Sequence, residues 1–158
     1  MERITDKYVF FWGAEFSDWY ECEFIYCRYL FKNTEQAFMW EKARFFGDHE
    51  IAKLILKSPD PKINKDLGRR VKNFNAEKWM EYCYVYMLAV NYAKYNQNEG
   101  LKNTLLSTGN KTIVEASPYD KIWGIGLHWN NDDCLDETKW QGMNLLGKVL
   151  MEVREELR

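Results

Sequence analysis

Between Thr34 and Asp48 the chain reads TEQAFMWEKARFFGD, and no other stretch constrains the fold so tightly. On a helix, at about 100° per residue, Glu35, Phe38, Met39, Lys42, Phe45 and Phe46 fall within roughly 120° of one another. Glu41, Arg44 and Asp48 take the other side, where solvent is expected. The pattern predicts a helix capped by Thr34 and ending near Gly47, with an acid and an amine in the middle of its apolar face. A helix placed only for packing would carry leucines at 35 and 42. Burying an unpaired carboxylate or ammonium costs several kcal/mol, so charges on a core face are usually compensated or used. Glu35 and Lys42 lie about 10 Å apart along the axis, too far for a simple i,i+4 pair, and a ligand or third group would have to join them. They are the first candidates for chemistry.

With 158 residues the chain is expected to form one domain, residues 1–158, long enough to bury a core without disulfides or metals. An aromatic fraction of 16%, including seven Trp and ten Tyr, supplies surface for packing or for stacking on a flat ligand. The net charge of −2 comes from 22 basic and 24 acidic residues that are mixed along the chain, which excludes a global field for duplex DNA or an anionic membrane. No run approaches the ~18 apolar residues of a membrane span, and no secretory leader is recognisable, so a cytoplasmic protein without a membrane partner is expected. Cys22, Cys27, Cys83 and Cys134 are too scattered for a disulfide framework. Joined only by His49 and His128, they show no zinc-ligand spacing, so neither metal nor cofactor is expected.

Along the chain there is no repeat, low-complexity tract or linker. Tyr8–Trp12 and Phe24–Phe31 are rich in aromatic and β-branched residues and read as strands. Helices are predicted from His49 to Lys57, over KINKDLGRR, from Ala76 to Tyr95, and for a turn or two over Glu99–Ser107. In the longest of these, Trp79, Tyr82, Cys83, Tyr86, Val90 and Ala93 form the expected core stripe. Thr112–Ala116 is a further strand, Asn130–Glu137 reads as a solvated acidic loop, and a last amphipathic helix buries Leu145, Leu146, Val149, Leu150, Val153 and Leu157, with Asn144 as its cap. The fold class is α+β, predominantly helical, with a few short β-strands.

Three further segments suit ligand chemistry. LGRRVK gathers Arg69, Arg70 and Lys72 beside a glycine, a composition that binds phosphate or makes a solvated basic turn. EASPYDKIWGIG places Glu115, Asp120, Trp123 and Gly124 in one loop after a strand, where a flat indole and permissive glycines either line a site or build a structural turn. WQGMNLLG opens the last helix. Its N-terminus near Asn144 is a candidate anion site, with plain capping as the alternative.

With FSDWYECEF, TEQAFMWEKARFFGD, KDLGRRVKNF, VEASPYDKIWGIG and WQGMNLLGKVLMEVR in order along nearly the whole length, the chain resembles the NADAR (YbiA-like) family. It departs from the family pattern at Asp18, Trp19 and Glu21, where Asn, Phe or Tyr, and Pro are more frequent. The resemblance implies a single compact YbiA-like domain and an N-glycosidase. Its substrate would be a small phosphoribosyl or ADP-ribosyl compound, of the riboflavin-intermediate or ADP-ribosyl-guanine type, with ADP-ribosylated nucleic acid as a further form. Cleavage at ribose C1′ passes through an oxocarbenium-like transition state and needs carboxylates, for which Glu35 and Glu115 are expected. Lys42 is expected as nucleophile or electrostatic clamp, Asp120, Trp123 and Gly124 as pocket residues with Trp123 stacking on a base, and Arg69 and Asn144 as phosphate ligands. The alternatives are a non-catalytic ADP-ribose or nucleotide-binding module and a protein-interaction domain with an exposed aromatic patch.

Overall fold

The computed structural model describes residues 3–158, whose contacts gather into two compact units. One comprises the chain up to Ser17 together with Glu99–Arg158; the other is Asp18–Asn98. Six α-helices and five short strands occur among the described residues, an α+β and predominantly helical composition.

In the first unit, β1 (Arg3–Ile4), β2 (Tyr8–Phe11) and β5 (Thr112–Glu115) form a sheet in the order β1-β2-β5. β1 runs antiparallel to β2, and β2 parallel to β5, in a register that pairs Tyr8 with Thr112 and Phe11 with Glu115. All four residues of β2 are buried, as a strand covered on both faces requires. Tyr8, Phe10, Val114, Ile125 and Cys134 share one core cluster, joined by Trp129 and Trp140. α5 (Glu99–Ser107) packs on α6 (Leu145–Glu156), and α6 packs on β5 through buried Leu146, Val149, Leu150 and Val153. Gly147 permits that approach, since a Cβ there would lie 2.1 Å from the Ile113 carbonyl oxygen. The acidic stretch from 130 to 137 is exposed apart from Cys134, as a solvated segment should be, but it is not irregular. It forms 3-10 turns at Asp132–Leu135 and Glu137–Lys139, buries Cys134, and engages its acids with Arg3, Lys7 and Lys139.

The second unit is built around α1 (Thr34–Phe45). α2 (His49–Lys57), α3 (Pro61–Arg69), α4 (Ala76–Gln97) and the strand β4 (Tyr29–Phe31) all pack against it. Consequently every residue from Asn33 to Glu41 is buried, and the expected solvent side does not exist for Glu41 and Asp48. Glu41 faces the Cys27 thiol, which donates to its carboxylate at 3.9 Å, and Arg44, at 3.9 Å. Asp48 caps α2 by accepting from Ile51 N and also accepts from Lys72 N at 2.9 Å, which fixes the basic stretch after α3. Asn33, not Thr34, caps α1, accepting from Gln36 N at 2.8 Å. Gln36 then ties α1 to the end of α2, donating to the carbonyls of Ile55 and Ser58.

Phe24–Phe31 is not one strand. It folds into the hairpin β3 (Phe24–Tyr26) and β4, turning at Cys27 and Arg28, both with positive φ. In α4 the buried stripe runs through Trp79, Cys83, Met87, Val90 and Lys94, while Tyr82 stands 48% exposed. The close seat of α6 on β5 yields a first prediction. Gly147→Ala should destabilise the protein by about 1–3 kcal/mol in denaturant unfolding, because backbone must move to admit the methyl group; unchanged stability would contradict the contact.

Candidate functional site

α1 presents Glu35 from its first turn and Lys42 two turns later on one helix side. Glu35 is buried, and its backbone N–H donates to the Asp18 carbonyl at 2.9 Å, so FSDWYECEF is anchored at the start of the helix. Lys42 is half-buried, with Nζ 4.3 Å from the centre of the Phe74 ring. Burial pushes the Lys42 amine below the ordinary lysine range; Glu35 opposes that shift and Arg69 adds to it. Glu35 and Arg69 thus act electrostatically on Lys42 with opposite signs, the acid holding the proton on and the cation easing it off. Phe45 and Phe46 pack at 5.7 and 6.1 Å from Trp79, and Phe38 at 5.3 Å, so the apolar residues of this helix face close on α4. Arg69, at the end of α3, is largely exposed and pairs with Asp66 at 3.2 Å.

Other members of this cluster were not singled out by the sequence. Phe74 lies just beyond the basic stretch, and Lys65, one helical turn before Arg69, has Nζ 5.8 Å from the centre of the Trp19 ring. The signals that would have found them are Lys65 four residues before Arg69 and the aromatic at 74 in KDLGRRVKNF. On the opposite side of α1, a cleft of about 310 Å³ is lined by Tyr29, Trp40, Arg44, His49 and Lys53, and it contains none of the expected residues.

The remaining candidates lie in the first unit. Glu115 is half-buried at the end of β5. Asp120 shapes the following loop, its Oδ1 accepting from Ile122 N and Trp123 N at 2.8 Å each, and Trp123 is half-buried. Gly124 is required by crowding, since a Cβ there would meet the carbonyl oxygens of Glu115 and Asp120 at 2.9 and 3.0 Å. Asn144 corrects the expectation of a side-chain cap. It stands at the start of α6 in a left-handed conformation (φ 52°) and makes no side-chain cap. Instead Oδ1 accepts from Glu115 N and Nδ2 donates to Ile113 O, both at 3.0 Å. The N–H groups of Asn144, Leu145 and Leu146 donate to the carbonyls of Gly124, Ile122 and Trp123, so loop carbonyls occupy the amides expected to hold a phosphate.

The NADAR domain model matches residues 10–158, a span that runs through both units. The chain belongs to the NADAR domain family. It is similar to the N-glycosidase R617 of Acanthamoeba polyphaga mimivirus, with 46% identity over 167 residues, 96% of this chain and 97% of that protein. It also matches the riboflavin biosynthesis protein VVA0006 of Vibrio vulnificus at 26% identity, over 99% of this chain but only 40% of the relative. The NMR structure of the E. coli protein YbiA has a TM-score of 0.79 over 98% of this chain and 87% of that one, at 24% identity, and shows the shared fold. Among the described residues of this NADAR chain, no helix is long and apolar enough to cross a membrane.

The Asn144 geometry separates a structural role from a ligand role. Asn144→Ala strands the Glu115 N–H and the Ile113 carbonyl and should cost about 1–3 kcal/mol of stability, while the folded variant keeps its affinity for ribose 5-phosphate. Lost affinity at unchanged stability would return Asn144 to the binding residues.

Proposed function

We propose that the protein is a hydrolase that cleaves the ribose C1′–N bond of a phosphorylated nucleoside-like metabolite or of an ADP-ribose adduct. The observation that carries this reading is the Glu35–Lys42 pair on the buried helix α1, with the amine shifted toward its free form. The name of the mimivirus relative supports the reaction class, and that of the Vibrio relative supports a riboflavin-type substrate.

Departure of the base leaves positive charge on C1′ and the ring oxygen, which the Glu35 carboxylate is suited to stabilise. In the covalent form of this reading, the free amine of Lys42 forms a bond to C1′ as the C1′–N bond to the base breaks. The base departs with that electron pair and takes up a proton. The ribose ring then opens, its oxygen is protonated, and the lysine holds the sugar as an imine. Water adds to the imine carbon, releases the amine and completes the hydrolysis. Arg69 supplies a cation for the substrate phosphate. Glu115, and Trp123 on the loop shaped by Asp120 and Gly124, belong to the other unit and are kept as candidates there, Trp123 as a plate on which a base can stack. The setting in this reading is cytoplasmic, where the four free cysteines remain thiols.

Incubation with ribosylamino-pyrimidine phosphates and ADP-ribosyl-guanine adducts should release free base and sugar phosphate from at least one substrate. Release from none would sink the reading. Glu35→Gln should bind that substrate normally and lose roughly 10²-fold or more in turnover; near wild-type turnover would remove Glu35 from the mechanism. Turnover should rise with pH through the lowered Lys42 titration, as the amine loses its proton. Borohydride added during turnover should leave a sugar-sized mass on Lys42. No adduct, together with an active Lys42→Arg, would make Lys42 a clamp and water the nucleophile.

A further inference from the structure

The stretch from Asp18 to Cys22 leaves two large aromatics at the surface, and Trp19, 44% exposed, is the one beside α3. Its place is set by the 2.9 Å bond from Glu35 N to the Asp18 carbonyl, which puts the indole one residue from the backbone that anchors Glu35. On α3, Lys65 and Arg69 are four residues apart, separated by about 40° around the axis and roughly 6 Å along it, so they share one face. Lys65 Nζ lies 5.8 Å from the centre of the Trp19 ring, within the range of a cation–π contact. Arg69 is the cation whose charge is felt at Lys42. An exposed indole, two cations on one helix face and the Glu35–Lys42 pair are therefore grouped within a single unit.

We infer that Trp19, Lys65 and Arg69 form a subsite for a phosphorylated ligand that carries an aromatic base next to its phosphate, the indole stacking the base and the two side chains holding the phosphate. The inference deepens the reading of Glu35 and Lys42 as the reaction centre and rests on it. The chemistry of each group fits one part of such a ligand. An indole face stacks on any base without demanding a particular hydrogen-bond pattern. Guanidinium and ammonium groups one turn apart span the oxygens of a phosphate or diphosphate. Arg69 pairs with Asp66, and both partners are more than half exposed, so this ion pair is weakly held and yields to a doubly charged phosphate. In the proposed complex Lys65 turns toward the same phosphate, and the base stacks on the exposed face of the indole.

Trp19 and Lys65 thereby gain separable roles, which binding can read without turnover. ADP-ribose carries phosphate and base; ribose 5-phosphate carries phosphate alone. In calorimetry, Trp19→Ala should weaken ADP-ribose by roughly tenfold and leave ribose 5-phosphate within about twofold. Trp19→Phe should restore most of the loss. Lys65→Gln should weaken both ligands by roughly tenfold. Equal weakening of both ligands by Trp19→Ala, no recovery in Trp19→Phe, or unaltered binding in Lys65→Gln would overturn the subsite, as would absence of ADP-ribose binding to the wild type. Because these are affinities, they stand apart from the test of hydrolysis. A protein that binds in this pattern but cleaves no N-glycoside keeps the subsite and loses the catalytic reading; one that cleaves but ignores Trp19 and Lys65 does the reverse.

Discussion

The second unit depends on a helix that has no solvent side along most of its length. α1 is enclosed by α2, α3, α4 and β4, so each polar side chain it carries must be met by the protein itself. Gln36 meets this demand by spending its amide on the end of α2, and Glu41 by facing Cys27 and Arg44. Asp48, just beyond the helix, holds α2 and the chain after α3 in one place. Within that frame Glu35 and Lys42 differ from their neighbours. Glu35 and Arg69 both act on the charge of Lys42, which is only half enclosed. Backbone ties to Asp18 and Lys72 fix the two stretches that border them.

The first unit solves a different problem, that of holding a glycine-containing loop rigid over a short sheet. The amides at the start of α6 are spent on loop carbonyls, and Asn144 clamps the Ile113 carbonyl and the Glu115 amide of β5. Asp120 turns the chain so that Trp123 follows in a defined orientation. The loop is therefore held both by the backbone at the start of α6 and by the side chains of Asp120 and Asn144.

Much of this was legible in the residues. The bounds of α2 and α5 agree with those read from the sequence, His49–Lys57 and Glu99–Ser107. The family pattern was legible because five motifs recur in order. What the sequence concealed has physical causes. A helical wheel assumes one face toward water, so it misplaced Glu41 on a helix that is buried nearly all round, and Asp48, which lies beyond its end and caps α2. The hairpin turn uses Cys27 and Arg28 at positive φ without the glycine or asparagine that would have signalled it. Asn144 has the composition of a cap, but a left-handed backbone turns its side chain toward β5. Lys65 and Trp19 meet only when α3 and the Asp18 stretch are folded together, and no local pattern encodes that meeting.

The central claim is that burial and Glu35 jointly set the charge on Lys42. The direct measurement is an NMR titration of the Lys42 side chain, in the wild type and in Glu35→Gln. The account predicts a midpoint below that of an ordinary lysine, and a further fall in Glu35→Gln, because the lost carboxylate was holding the proton on. A midpoint in the ordinary lysine range that is indifferent to Glu35 would contradict it.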